Sequence, residues 1–177
     1  MHGMPLFSFE GTSPTVHPDA WIAPTATLIG DVIVEKNASI WYGAVIRADF
    51  GRIIIREGAN IQDNSVIHVN ESVCEVGKNA TVGHLCLVHD CTIGEQALVG
   101  NGSTVLDQAQ IGARALVAAG ATVTPNSVVP PETIAMGNPA KKQVPLTDSA
   151  RLWVDHNAAI YQQLADRHAA GIEPVEP

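Results

Sequence analysis

IQDNSVIHVNESVCEVGKNATVGHLCLVHDCTI, residues 61–93, carries three histidines, His68, His84 and His89, inside an apolar repeat of six residues. Within it Ile61, Ile67, Val76, Val82, Val88 and Ile93 mark the repeat. A fixed period converts separation along the chain into position in space, so this stretch decides both the fold and where the imidazoles lie.

The repeat extends in both directions. Below it stand Ile22, Leu28, Val34, Ile40, Ile46 and Ile55, and above it Val99, Val105, Ile111, Val117, Val123 and Val129. Four residues after most of these comes a small side chain, as at Ala26, Ala38, Ala44, Ala59, Ser65, Ala80, Cys86 and Ala97. Six is not the period of an amphipathic helix. Eighteen such positions in one chain read as a parallel β-helix of hexapeptide repeats, an all-β fold over residues 21–135. Each hexad supplies a short strand and a turn, and three close one triangular coil. The hexads predict about six coils, stacked about 4.8 Å apart. Spacing alone leaves the handedness open.

The period breaks three times. Ile46 to Ile55 and Ile67 to Val76 are nine residues each, and Val88 to Ile93 is five. All three breaks adjoin polar residues, where a repeat protein builds a site.

Outside the repeat, residues 1–20 hold prolines at 5, 14 and 18 and read as an extended lead-in. PPETIAMGNPAKKQVP, residues 130–145, ends the coil. In the exit loop and tail, 136–177, Thr147 and Asp148 can cap a C-terminal helix of about 20 residues. That helix is expected to pack along the β-helix by a face of Trp153, Asn157, Ile160 and Leu164, with Trp153 and Tyr161 as packing groups and His156 and His168 at the surface.

Composition limits the partners. A formal charge of -8 without a basic run argues against nucleic acid and anionic lipid. No stretch approaches the roughly 20 apolar residues of a membrane span, and MHGMPLFSFEG lacks the plan of a signal peptide, so a cytoplasmic location is expected. Cys74, Cys86 and Cys91 are odd in number and form no Cys-x-x-Cys pair, which disfavours disulfides and thiolate zinc. Cys86 occupies a small-residue position and reads as core packing.

Three hexad steps separate Ile67 from Val88, one full coil. His68 and His89 follow these residues directly and so share a corner on adjacent coils. His84 follows Val82 by two and belongs to the previous face, out of their reach within one prism. A cyclic homotrimer presents one edge of each prism to a different edge of its neighbour. Three interfacial sites are therefore expected, each with His68 and His89 of one chain and His84 of the next as metal ligands. Three neutral imidazoles with an open fourth position are the pattern of a catalytic zinc, and they also accept iron or cobalt. The same counting sets Arg47 beneath His68 and Gln62 beneath His84. Arg47 and Asp49 read either as an ion pair across the subunit boundary or as catalytic groups. Gln62 is either a turn residue or a donor to a metal-held water or substrate oxygen.

At these residues the sequence resembles the γ-class carbonic anhydrases and their relatives. The similarity lies in IWYGAVIRAD (40–49), GANIQDNSVIHV (58–69), VGHLCLVHDCTIG (82–94), VLDQAQIG (105–112) and GNPAK (137–141). It implies a left-handed β-helix trimer with interfacial Zn2+ on His68, His84 and His89, supported by Arg47, Asp49, Asn60 and Gln62. It also implies reversible hydration of CO2 to bicarbonate by hydroxide generated at the metal. Two features depart from the family prototype. Phe50 stands where a glutamate follows the aspartate of the Arg-x-Asp motif, and the loop after the first histidine is short, with Glu71 as the candidate proton shuttle. GNPAK and the bare hexads are shared with hexapeptide acyltransferases. The alternatives are accordingly acyl transfer or acyl-CoA thioester hydrolysis, or a structural trimer clamped by its metal.

Overall fold

Valine and isoleucine, branched at Cβ, favour extended backbone, and each hexad places one at the end of a short strand. A computed structural model of the chain describes residues 6–175, in which these strands stack as a left-handed parallel β-helix with a single helix at its C-terminal end. The first face includes Val66–His68, Leu87–His89, Thr104–Val105 and Thr122–Val123. The second includes Val73–Val76, Thr92–Ile93, Gln110–Ile111 and Val128–Val129. The third runs from Trp21–Ile22 through Ser39–Ile40, Asn60–Ile61, Thr81–Val82, Leu98–Val99 and Leu116–Val117 to Thr133–Met136. Two longer strands, Thr27–Val34 and Val45–Ile55, cross the corner between the first and second faces.

There are about seven rungs, one more than the hexads predict. The extra rung is laid beneath the repeat by Leu6–Phe7, which pairs in parallel with Leu28 and Ile29, and by Thr15–Val16, which pairs with Ile33 and Val34. Leu6 and Val16 stand ten residues apart, off the six-residue period, so the repeat does not reveal the Leu6–Phe7 strand. Residues 1–5 of the expected lead-in, with Pro5, and the last two of the tail lie outside the described residues.

The register is in phase from rung to rung. Leu28, Ile46, Ile67, Val88 and Val105 pair in succession and are fully buried, as are their counterparts on the other faces. Each such side chain contributes roughly 1.5–3 kcal/mol of burial. Nearly every corner of the regular hexads turns on a residue with positive φ, three positions after the aliphatic, Thr25 being an exception: Asn37, Gly43, Gly58, Asn64 and Asn79 are examples. Glycine and asparagine tolerate that region best. The next residue points into the corner, which is why it is small: Ala38, Ala44, Ala59, Ser65 and Ala80 are all buried.

Opposite charges join neighbouring rungs. Arg56 donates to Glu35 below at 2.8 Å and to Glu75 above at 2.9 Å, and Lys78 meets Glu57 at 3.3 Å. Each exposed pair adds little stability, but a slipped rung would set like charges together, so the pairs guard the register.

The C-terminal helix, Asp148–Gly171, starts where Thr147 accepts a hydrogen bond from the Ala150 amide at 3.3 Å. At about 1.5 Å per residue its 24 residues span about 36 Å, close to the height of seven rungs at about 4.8 Å. It lies along the third face, but not on the stripe expected from the sequence. Val154, Ala158 and Ala165 are its buried residues, while Trp153 is 64% and Ile160 51% exposed. A helix seated closely on a flat face needs small contact residues, and here the rungs supply the bulk. Trp21, Trp41 and Tyr42 surround His168, whose Nδ1 lies 2.8 Å from the Tyr42 hydroxyl. His168 is therefore a packing group and not a surface histidine. Tyr161 packs edge-on against Trp41 at 5.2 Å.

Candidate metal site

All three breaks in the period fall at one corner, between the first and second faces. In the first, the pairing with Thr27–Val34 shifts between Gly30 and Val32, so residues 49–52 bulge outward and present Asp49 and Phe50. In the second, residues 69–72 form a loop above that bulge. Gly51 is required there, since a Cβ would stand 2.4 Å from the Asn70 carbonyl oxygen and 2.3 Å from that of Ser72. In the third, the chain turns early at Asp90, whose φ is 46°. Asp90 is buried, accepting from Ser72 Oγ and from Gln108 Nε2 at 2.9 Å, so it ties the loop to the rung above.

Beside this corner Arg47, His68 and His89 are register partners on three successive rungs. His68 Nδ1 faces His89 Nε2 at 3.0 Å. The outer nitrogens meet carboxylates: His68 Nε2 is 2.8 Å from Asp49 Oδ1, and His89 Nδ1 is 3.2 Å from Asp107 Oδ1. Arg47 donates to the other oxygen of Asp49 within the same chain. Burial pushes the Asp49 carboxyl up, but the hydrogen bonds from His68 and Arg47 outweigh it and hold it below the ordinary carboxylate range. The Phe50 ring stands edge-on to His68, largely exposed. Glu71 is at the tip of the loop, on a shallow groove shared with Phe50, Asn70 and Gln108.

His84 lies at the corner between the third and first faces. Its Nδ1 is 2.9 Å from Asp63 Oδ2, and its Nε2 is 3.2 Å from the Tyr161 hydroxyl. Burial, reinforced by Asp63, pushes the Tyr161 phenol up, which keeps it neutral. A groove of about 410 Å³ opens here, lined by Gln62, His84, Asn101, Trp153, Asn157 and Tyr161 among others. The register sets Gln62 beneath Gly83, and the residue beneath His84 is Asp63. The expectation for Gln62 is corrected by one position, because His84 follows its aliphatic by two and Gln62 follows its own by one. Gln62 is buried and donates to Asn60 Oδ1 at 3.0 Å, while Asn60 donates to Thr81 at 2.8 Å. Asn157 of the helix donates to the same threonine hydroxyl at 3.0 Å.

One chain thus brings together His68 and His89 and leaves His84 on another edge. Among the described residues no three histidine, cysteine or acidic side chains of one chain converge into a metal cage. The donors nevertheless suit a divalent metal. Neutral imidazoles whose outer nitrogens meet carboxylates are the usual form of metal-binding histidines. The 3.0 Å between the facing nitrogens is near the edge of about 3.3 Å expected for tetrahedral ligands at about 2.0 Å from zinc. The three cysteines are free and buried, away from this chemistry.

Asp63, Asp107 and Tyr161 were missed as site residues. Asp63 was within reach of the six-residue ruler, being one full coil below His84. Asp107 was one position off it, because it follows Val105 by two while His89 follows Val88 by one. Tyr161 reaches the site only through the helix, which the repeat does not govern.

The model of the bacterial transferase hexapeptide (six repeats) matches residues 13–48 and 90–125. Gamma carbonic anhydrase 2, mitochondrial, of Arabidopsis thaliana is 41% identical over 172 residues, 93% of this chain but 62% of the relative, so the chain spans less than two thirds of that protein. Carnitine operon protein CaiE of Salmonella agona (strain SL483) is 37% identical over 178 residues, covering 98% of this chain and 88% of the relative. The crystal structure of a hexapeptide transferase family protein from Anaplasma phagocytophilum superposes with a TM-score of 0.88 at 40% identity, over 92% of this chain and 97% of the other.

Proposed function

From the premise that this chain belongs to the hexapeptide-repeat family of left-handed β-helix proteins that includes γ-carbonic anhydrases and CaiE, we propose that it catalyses metal-dependent reversible hydration of CO2 to bicarbonate at the interfaces of a homotrimer. The observation that carries the reading is the pair of imidazoles on adjacent rungs, 3.0 Å apart, each with a carboxylate at its outer nitrogen. His68 and His89 of one protomer and His84 of its neighbour would hold the metal, with zinc first and iron or cobalt also suited to the donors. A divalent metal there supplies Lewis acidity, making water acidic enough to yield hydroxide near neutral pH.

The chain's own groups do the rest. Asn60 fixes the Gln62 amide, leaving its carbonyl oxygen and second N–H for the reacting water and a CO2 oxygen. Arg47 keeps Asp49 ionised beside His68 Nε2 and so orients that ring. Glu71, on its tethered loop, accepts the proton that hydration releases and passes it to buffer. The cytoplasm is the expected compartment; no helix among the described residues is long and apolar enough to cross a membrane.

Stopped-flow CO2 hydration by the metal-loaded protein, with oligomeric mass and metal per chain measured on the same sample, tests the proposal. Turnover above that of His89→Ala, with about one metal per chain in a trimer, is the expected result. Equal rates for the two proteins overturn it and leave a metal that only clamps the trimer. The transferase name of the Anaplasma relative favours, as second reading, acyl transfer or thioester hydrolysis on a CoA substrate. That activity needs one histidine as base and would persist with a chelator, whereas CO2 hydration would not.

A further inference from the structure

We infer that Asp107 is a positioning residue: it holds His89 in the tautomer protonated at Nδ1, so that Nε2 is the nitrogen offered to the metal, and through Asn70 it locks that ring to the loop carrying Glu71. The inference rests on the reading of His89 as a ligand and concerns a residue outside the set expected from the sequence.

A neutral imidazole has one N–H, and the partner of one nitrogen decides where it sits. Asp107 Oδ1 lies 3.2 Å from His89 Nδ1, while His89 Nε2 faces His68 Nδ1 at 3.0 Å. A carboxylate only accepts, so it selects Nδ1–H and leaves a lone pair on Nε2. On His68 the arrangement is reversed, with Asp49 at Nε2 and Nδ1 turned to the pair. The two rings therefore present unlike nitrogens to the same point, which stacked identical rings in register would not do unaided.

Asp107 reaches His89 from one position further along the rung above. Val88 pairs with Val105, which puts Leu106 level with His89, and Asp107, just before the turn at Gln108 with φ 58°, sets its Oδ1 3.2 Å from the ring nitrogen. The same Oδ1 accepts from Asn70 Nδ2 at 3.1 Å, so one oxygen serves both the ligand and the loop.

Long-range 15N–1H correlation spectra of the full-length, metal-stripped chain read the tautomer without any turnover. Expected are Nδ1–H at His89 in the parent and a shift toward Nε2–H in Asp107→Asn, whose amide can donate to Nδ1. Zinc affinity, from chelator competition, should fall 10- to 100-fold in Asp107→Asn and stay within about threefold of the parent in Asp107→Glu, with thermal melts showing both folded. Asn70→Ala should free the loop and leave the tautomer unchanged. An unchanged His89 tautomer with unchanged zinc affinity in Asp107→Asn overturns the inference. A parent that takes up no metal overturns the proposed function instead, and the spectra still decide the role of Asp107.

Discussion

Residues 93–129 and residues 46–93 are built from the same hexads, yet they do different work. In the upper stretch every sixth residue is an aliphatic without interruption, from Ile93 through Val129, and it lends the candidate metal site only the polar side chains of Asn101, Asp107 and Gln108 at its margins. In the lower stretch the period breaks three times, and Arg47, Asp49, Gln62, His68, Glu71, His84 and His89 all fall there. The family model's matches at 13–48 and 90–125 leave out most of that interrupted stretch, residues 49–89. Regularity builds a stack that holds position to a fraction of a rung, and irregularity uses that precision to aim side chains.

If the division is sound, damage to one stretch should spare the property of the other. His89→Ala in the interrupted stretch should weaken metal binding by more than about 100-fold, beyond the usual cost of losing an outer partner, with the far-ultraviolet circular dichroism unchanged; a parent-like metal content would erase the distinction. In the regular stretch, Ile111→Ala should cost about 2–5 kcal/mol of stability, read by denaturant unfolding, with metal per folded chain unaltered. Glu71→Gln should slow hydration at low buffer by up to ~10²-fold and recover when a small buffer is added. Failure to recover would remove Glu71 from proton export.

The smallest effect belongs to the clamp between the helix and the last rungs. Glu132 accepts from Arg114 and, at 2.7 Å, from Arg151, and these partners hold its carboxyl below the ordinary range, Arg114 foremost. A depressed folded value means a contribution present above the unfolded carboxylate pKa of about 4.3 and lost as pH falls through the folded value. Glu132→Gln should therefore melt slightly below the parent at pH 7 and coincide with it in strong acid. A difference that grows toward acid would contradict the assignment.

Much of this was legible because a solenoid maps sequence onto space almost linearly. The period gave the β-helix, the stacking of His68 on His89 over Arg47, and the separation of His84 from both. It failed where contacts do not follow the ruler. The helix turned a different face inward, since the fit on a flat sheet favours Val154, Ala158 and Ala165 over the larger Trp153 and Ile160. His168 found its partners more than a hundred residues away, in Tyr42 and two tryptophans.

By itself the sequence determined the β-helix, apart from its hand, and the edge on which each imidazole stands, because a six-residue period converts separation along the chain into place around the coil. Only the tertiary structure decided which nitrogen of each ring faces a carboxylate, by setting Asp49, Asp63 and Asp107 beside them. Those contacts depend on a bulge and the turn of single side chains, distances of an ångström or two that no repeat length encodes.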